Sequence, residues 1–226
     1  MKKRLEIDVE LKKNSYPGKF VVIEGIDGAG KTTQVADVSK ILSKKYAVYP
    51  TKQPTDGPIG KLIRKALSGS VEVPQVAFQY LFSADREAQQ GEIIGELKKG
   101  KLVLMDRYVW SALAYGILDH GFDEIEKTGK TLSVALSILS TYHQFLMPDT
   151  TIYLNVPVDI AVKRLYESKR HATELYKRKE QVEKAKKSYN WVVKTFSEEF
   201  TMLDGTLPED EVTRQIVSYI EPLVKK

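Results

Sequence analysis

The residues with the clearest capacity for chemistry are the glycines, lysine and threonine of the stretch GIDGAGKT at positions 25–32. Gly25, Gly30, Lys31 and Thr32 match the pattern G-x-x-x-x-G-K-[ST]. In that pattern the glycine-rich backbone wraps phosphate groups, the lysine reaches the β- and γ-phosphates, and the hydroxyl binds Mg²⁺. The residues expected to form this nucleotide-phosphate cradle are Gly25, Ile26, Asp27, Gly28, Ala29, Gly30, Lys31, Thr32 and Thr33.

The alternative is an ordinary glycine turn that carries Lys-Thr by coincidence. The neighbouring elements argue against it, because the apolar run FVVIE at 20–24 ends directly before the motif and a helical pattern begins at its lysine. A phosphate loop needs that order, since the N-terminus of the following helix presents partly positive amide groups to the anion. The local context therefore favours a nucleotide site.

Short β-rich runs alternate with longer helical patterns along the whole chain. The expected strands are residues 20–24, 46–53, 101–106, 150–156 and 198–204. The expected helices are residues 31–45, 58–69, 75–99, 131–145, 158–169, 174–195 and 208–224. Strands that alternate with helices predict an α/β fold, in which a parallel sheet is covered by helices on both faces.

Composition narrows the classes of protein that remain. The chain has 226 residues, a net charge of +5 and no cysteine, which excludes disulfides, zinc–thiolate sites and thiol nucleophiles. Its length suits one domain. The N-terminus lacks the apolar segment of a secretory signal, and the apolar stretch 131–147 is too interrupted by polar residues for a membrane span. We expect a soluble, cytoplasmic protein with no membrane partner.

Two observations restrict the choice among proteins that share a phosphate loop. The Asn-Lys-x-Asp segment with which GTPases read their base is absent. No long basic face is interleaved with aromatic residues, so we expect no nucleic-acid partner. The histidines at 120, 143 and 171 lack metal-ligand spacing, and we expect surface or capping roles for them. A small kinase is the remaining class.

Four further stretches resemble the thymidylate kinase family, and the resemblance extends over nearly all of 19–224. They are QPTDGPIGKLIRKAL at 53–67, FSADR at 82–86, DRYVWSALAY at 106–115 and MPDTTIYLNV at 147–156. The resemblance implies a P-loop NTPase fold with a five-stranded parallel sheet. It also implies transfer of the ATP γ-phosphoryl group to thymidine 5′-monophosphate (dTMP), Mg²⁺ dependence and a homodimer.

The same resemblance divides the chain into segments. Residues 1–18 would be an N-terminal extension, and residues 19–226 would form the nucleoside monophosphate kinase domain with a lid at about 162–181. The loop LDGTLPEDEV at 203–212 is similar to the family's loop against the adenine.

The resemblance also implies roles for individual side chains on the phosphate side. Arg107 would clamp the acceptor phosphate, Asp106 would join Thr32 as a Mg²⁺ ligand, and Asp27 would contact the sugar 3′-hydroxyl. Some relatives carry an arginine inside the P-loop, at the place occupied here by Gly28. The transition-state cation would then come from the lid. The catalytic residues implied in this way are Asp27, Lys31, Arg107, Arg164 and Arg170.

On the base side, Phe82 would stack on thymine and Arg86 would hydrogen-bond its O4. Their spacing of four residues places them on one face of a helix. Tyr115 would crowd the 2′ position of the sugar. The acceptor residues implied are Asp27, Arg64, Phe82, Arg86, Arg107, Ser111 and Tyr115.

The sequence departs from the family pattern at several places. Gln53 replaces a glutamate that is more frequent before the proline, and Ala112 and Gly116 replace polar residues near the base. The stretch 162–181 carries many cations but lacks a clear Asp-Arg-x-Glu pattern.

Plainer interpretations stay open from the residues alone. Asp106 and Arg107 could be an ordinary ion pair at a strand end, and the charges of 162–181 could cover a solvated helix. Phe82 could be a core residue, with Arg86 solvated. The open alternatives to a thymidylate kinase are another nucleoside monophosphate kinase and a P-loop protein that binds nucleotide without catalysis.

Overall fold

A five-stranded parallel sheet forms the centre of the molecule. The computed structural model describes residues 10–142, 144–167 and 175–225. The strands are β1 (Lys19–Glu24), β2 (Val48–Lys52), β3 (Leu102–Asp106), β4 (Thr150–Asn155) and β5 (Phe200–Asp204). Their order across the sheet is β2-β3-β1-β4-β5, and every neighbouring pair is parallel. The predicted α/β fold with five parallel strands is confirmed.

Helices connect the strands and cover the sheet. They are α1 (Lys31–Leu42), α2 (Pro58–Leu67), α3 (Gln75–Lys98), α4 (Val109–Asp119), α5 (Phe122–Lys127), α6 (Thr131–Leu139), α7 (Val158–Glu167), α8 (Leu175–Thr195) and α9 (Glu209–Val224). A short 3₁₀ turn, Ser197–Glu199, precedes β5. The pairs α1 with α9, α3 with α4, and α4 with α8 pack against each other.

Two helices were not expected from the sequence, and one ends early. Helix α4 is buried along most of its length, so its sequence shows no polar stripe to mark a helical period. Helix α5 has only six residues, which is too few for a periodic pattern. The helix expected over 131–145 ends at Leu139, because a turn follows Ser140.

The core lies on both sides of the central strands. In β1, residues 20–24 are fully buried, and every residue of β3 is buried as well. Burial without alternation means that both faces of these strands are covered. The edge strands β2 and β5 are only half-buried. The carboxyl ends of the buried strands meet at one edge of the sheet, where open α/β folds bind ligands.

The described part of the N-terminal extension lies at the opposite edge, where β1 and β4 begin. The Met147 amide donates to the Lys12 carbonyl at 2.8 Å. The Asn14 side-chain amide donates to the Gly18 carbonyl at 2.9 Å and to the Asp149 carboxylate at 2.6 Å. Residues 10–18 are therefore tied to the segment that leads into β4. In the described part of the chain, no helix has both the length and the apolar character needed to cross a membrane.

Candidate active site

The phosphate loop occupies the turn between β1 and α1. Gly28 and Gly30 have φ angles of +81° and +94°. Residues other than glycine rarely adopt these backbone angles. Gly28 also lies against the first turns of α7, where a Cβ atom would come within 2.2 Å of the Ala161 carbonyl oxygen. Both glycines therefore keep the backbone close around the position of a phosphate, and the first amide groups of α1 lack partners inside their helix.

A cavity of about 660 Å³ opens above this loop. Its walls come from the phosphate loop, the end of β3, helix α7 and the start of α9. The residues that line it include Asp27, Gly28, Ala29, Gly30, Lys31, Thr32, Thr33, Asp106, Arg107, Arg164, Gly205, Leu207 and Val212. The loop after β5 and the phosphate loop thus line the same cavity. This agrees with the family resemblance, which implied that the loop after β5 lies against the adenine.

Lys31 lies inside the loop and not in solvent. Its ammonium donates to the Ile26 carbonyl at 2.7 Å, and only 6% of the residue is exposed. Burial, followed by the positive charge of Arg107, lowers the pKa of Lys31 to about 8. A negatively charged phosphate beside this ammonium would stabilise its protonated form.

Thr32 and Asp106 provide oxygen atoms suited to Mg²⁺. The Thr32 hydroxyl donates to Asp106 Oδ2 at 2.5 Å. Asp106 Oδ1 is buried and has no hydrogen-bond partner among the described residues. Mg²⁺ in phosphate-transfer sites is held by one or two protein oxygens together with substrate phosphates. The pair therefore fits this ion, and no cluster of three or more acidic, histidine or cysteine residues suggests another site in the described ranges.

Arg107 follows Asp106 directly, but its ionic partner is a residue of the phosphate loop. Its Nη2 lies 2.5 Å from Asp27 Oδ1. Its Nη1 donates to Ser111 Oγ and to the Tyr189 hydroxyl, each at 3.1 Å. Arg107 also has a φ angle of +68°, an uncommon conformation for a residue with a side chain. Within the described residues the ion pair of Arg107 is therefore with Asp27 and not with its neighbour Asp106.

Glu24, at the end of β1, is a residue that the sequence analysis missed. It is fully buried, and its Oε1 accepts the Tyr108 and Ser111 amides at 2.8 and 3.0 Å. These amides belong to the N-terminal end of α4, where a negative charge is favourable. Its Oε2 accepts the Ser111 and Tyr189 hydroxyls at 2.6 and 3.0 Å. The sequence does contain a signal for this residue, namely an acid at the end of an apolar strand. A buried carboxylate needs hydrogen-bond donors around it.

The base-side pair lies on α3 as its spacing predicted. Phe82 is half-buried, and its ring centre is 5.7 Å from the Arg86 guanidinium carbon. Arg86 is only 3% exposed, and its Nε has no hydrogen-bond partner among the described residues. Its Nη1 makes one long bond of 3.4 Å to the Tyr142 hydroxyl. The alternative of a solvated Arg86 is therefore wrong.

The other acceptor candidates have different positions. Ser111 is buried behind Arg107, whereas the Tyr115 ring lies 5.4 Å from the Arg107 guanidinium carbon. Arg64 donates to the Pro54 carbonyl at 3.1 Å and pairs with Asp56 at 3.2 Å, so it supports the loop after β2. That loop is also held by the buried Asp85, which accepts the Thr55 amide and hydroxyl at 2.8 and 2.6 Å.

Only some of the lid arginines and histidines lie within the described residues. Arg164 on α7 lines the cavity of the phosphate loop. Arg170 lies outside the described residues, as do His143 and His171. His120 lies at the C-terminal end of α4, with Nδ1 2.8 Å from the Gly116 carbonyl, which is a capping position.

Comparison with known proteins agrees with this geometry. The family model for thymidylate kinase matches residues 23–216. A probable thymidylate kinase of Methanocaldococcus jannaschii is 32% identical over 204 residues, which cover 89% of this chain and 95% of that protein. Probable thymidylate kinases of Pyrobaculum calidifontis and Thermococcus onnurineus are each 34% identical, and they match 89% of this chain and 95% and 97% of their own lengths. With the family model covering most of the sequence, the chain belongs to the thymidylate kinase family.

Proposed function

We propose that the protein is a thymidylate kinase, which transfers the γ-phosphoryl group of ATP to dTMP and produces dTDP and ADP. The observation that carries this proposal is the state of Arg86, a buried guanidinium whose Nε has no partner among the described residues. Thymine offers the O4 oxygen that such a donor needs. Family membership supports the same reaction.

The donor nucleotide would occupy the cavity above the phosphate loop. Lys31 and the first amides of α1 would hold the β- and γ-phosphates, while the loop after β5 would contact the adenine. Thr32 and Asp106 would hold Mg²⁺, which supplies neutralisation of the charge that develops on the phosphate oxygens. All of these groups lie around one cavity, which supports their joint role in binding the donor.

The acceptor would lie between the phosphate side and the base side. Arg107 would bind its phosphate, and Asp27 would accept a hydrogen bond from the sugar 3′-hydroxyl. Phe82 would stack on the base, with Arg86 at O4. An oxygen of the acceptor phosphate then forms a bond to the γ-phosphorus as the bond from that phosphorus to the ADP oxygen breaks. The protein contributes positioning and positive charge, and no strong base is needed.

A third cation would reach the transferred group from the lid. A P-loop arginine in place of Gly28 is excluded in this conformation, because the carbonyl of Ala161 occupies the space a Cβ atom would need. Arg164 lines the nucleotide cavity, and Arg170 is the second candidate of the lid stretch.

The test of the lid proposal is turnover in variants. We expect a roughly hundredfold loss of kcat, with little change in ATP affinity, in at least one of three variants. These are Arg164→Ala, Arg170→Ala and the double variant. Lys163→Ala is the matched control, since Lys163 is the exposed neighbour on α7. Full turnover in all three arginine variants would contradict the proposal.

The test of the overall function is a panel of acceptors with ATP and Mg²⁺. We expect the highest initial rate with dTMP. Deoxyuridine monophosphate keeps O4 and lacks one methyl, so it should react at about a tenth of that rate or less. Uridine monophosphate should be slower than its deoxy form, because Tyr115 crowds the 2′ position. The cytidine monophosphates should be poor acceptors, since an amino group replaces O4 and leaves Arg86 unpaired. A preferred purine monophosphate would contradict the base assignment.

We also propose a cytoplasmic homodimer. The support for the dimer is the resemblance to the family, and exposed apolar side chains such as Leu67 and Tyr80 are available for an interface. Sedimentation or light scattering should give twice the mass of one chain. A monomer at micromolar concentration would contradict the dimer without affecting the kinase assignment.

A further inference from the structure

Two hydroxyl groups stand between Arg107 and the buried Glu24. Arg107 Nη1 is 3.1 Å from both Ser111 Oγ and the Tyr189 hydroxyl oxygen. Each of these oxygens also reaches Glu24 Oε2, at 2.6 Å for Ser111 and 3.0 Å for Tyr189. The guanidinium and the carboxylate are thereby joined through two parallel bridges.

Proton counting gives both bridges a direction. A guanidinium only donates hydrogen bonds, and an ionised carboxylate only accepts them. Ser111 accepts from Arg107 and donates its single proton to Glu24 Oε2 at 2.6 Å. Tyr189 also accepts from Arg107 and donates its single proton towards Glu24, either directly at 3.0 Å or through Ser111 Oγ at 2.7 Å. In both arrangements Tyr189 connects the guanidinium to the carboxylate. Hydrogen bonds to charged groups are stronger than neutral ones, so this arrangement holds one nitrogen of Arg107 firmly.

The other nitrogen of the guanidinium has a different kind of partner. Arg107 Nη2 contacts Asp27, whose side chain is 51% exposed and lies on the phosphate loop. Glu24 is fully buried in β1 and also receives two backbone amides. An incoming phosphate can compete with the half-exposed Asp27 for Arg107, whereas it cannot displace the buried Glu24. Glu24 is thus the fixed counter-charge of Arg107.

We propose that Tyr189 is a positioning residue for the acceptor-phosphate clamp. Its hydroxyl, together with that of Ser111, ties Arg107 to Glu24. Tyr189 lies on α8, the helix whose start belongs to the lid stretch, and so this contact links that helix directly to the clamp. The inference rests on the proposed function in one respect, namely that Arg107 binds the phosphate of a nucleoside monophosphate.

Removal of the Tyr189 hydroxyl should weaken only ligands that carry the acceptor phosphate. Tyr189→Phe keeps the buried ring but leaves Nη1 with one bridging hydroxyl in place of two. Arg107 becomes less well positioned, and dTMP affinity should fall roughly tenfold. Thymidine has the same base and sugar but no phosphate, so its affinity should stay unchanged. A general disturbance of the pocket would weaken both ligands.

The experiment is equilibrium binding of dTMP and thymidine to the full chain, with steady-state kinetics. Tyr153→Phe is the matched control, because Tyr153 is equally buried and its ring centre lies 5.6 Å from that of Tyr189. Its hydroxyl faces Lys186 at 3.4 Å. Tyr189→Phe should raise the Kd and KM for dTMP without changing the thymidine Kd or the KM for ATP. Tyr153→Phe should bind all three ligands as the wild type does.

Two results would overturn the inference. One is wild-type dTMP affinity in Tyr189→Phe, and the other is an equal loss of dTMP and thymidine affinity. If Tyr189→Phe does not fold, Ser111→Ala removes the other bridge and must give the same phosphate-specific loss. Failure of the proposed function is a separate result, because it would appear as wild-type protein that does not phosphorylate dTMP. In that case the same comparison is made with the monophosphate that is turned over and its nucleoside.

Discussion

The phosphate side and the base side of the site treat their cations in opposite ways. On the phosphate side, Lys31 donates to the Ile26 carbonyl, and Arg107 contacts Asp27 and two hydroxyls. On the base side, Arg86 is just as deeply buried but has an unpartnered Nε and one bond of 3.4 Å. The cations of the phosphate side thus have close protein partners, whereas Arg86 has a donor group without a partner among the described residues.

This difference separates stability from selectivity. Protein partners hold the phosphate-side cations in position before any ligand arrives, which favours fast transfer. A buried donor without a partner costs stability, but it also penalises any ligand that fails to supply an acceptor. On the proposed function, the base side would discriminate among bases, and the phosphate side would act on whichever ligand is accepted.

The largest effect should come from the cradle itself. Lys31→Ala removes a positioned cation from the transferred phosphate, worth about 3–4 kcal/mol, and turnover should fall roughly a hundred- to thousandfold. The folded state should persist, because the lost ammonium was desolvated by burial. Turnover is measured by ADP release and folding by thermal unfolding. Near-normal activity would rule out the phosphate-loop assignment.

Replacement of Arg107 and of Arg86 by methionine should change the free energy of unfolding in different ways. Arg107→Met leaves Glu24 and Asp27 without their cation, so the free energy of unfolding should fall by about 1–3 kcal/mol. Arg86→Met removes an under-partnered buried charge, so stability should be unchanged or rise by up to about 1 kcal/mol. Both variants should lose dTMP kinase activity.

Chemical denaturation of the ligand-free variants measures this contrast. Lys163→Met serves as the surface control, because the Lys163 side chain is 75% exposed. Equal destabilisation by Arg107→Met and Arg86→Met would remove the distinction between the two regions. In a second measurement, dTMP is added before denaturation. It should raise the free energy of unfolding of the wild type more than that of either variant, because each variant lacks one contact to the ligand.

The smallest effect concerns pH. The pKa of Lys31 is lowered to about 8 in the free protein, so this group loses its proton as the pH rises above 8. A bound diphosphate keeps the ammonium protonated, and binding above pH 8 therefore requires proton uptake. Affinity for ADP without Mg²⁺ should be about tenfold weaker at pH 9 than at pH 7. Calorimetry in two buffers measures the proton uptake, which Lys31→Met should abolish.

Sequence reasoning correctly placed residues that are close together in the sequence. The phosphate loop and the pair Phe82 and Arg86 are each defined within a few residues, so the chain places their members together once the local element forms. The parallel sheet followed from the alternation of strands and helices. The buried helix α4 escaped because its sequence has no polar face.

The supports of the clamp could not be predicted because they come from distant parts of the chain. Glu24 and Tyr189 meet across 165 positions of sequence, and no spacing rule brings a strand end to the middle of a later helix. Arg107 was found from its motif, and a pair with the neighbouring Asp106 was only the plainer alternative. Its ionic partner in the structure is Asp27, 80 positions away. Arg170 stays a prediction, since it lies outside the described residues.

The contact between Gly28 and Ala161 has a consequence for how the sequence can change over evolution. A side chain at position 28 would collide with the backbone of α7, and the φ angle of +81° adds strain. Replacing alanine 161 cannot relieve the collision, since the obstructing atom is a carbonyl oxygen. If the proposed lid arginine acts in transfer, its exchange for a P-loop arginine is therefore an epistatic step, because a separate mutation must first move the helix. Lineages with either arrangement would then seldom interconvert by single substitutions.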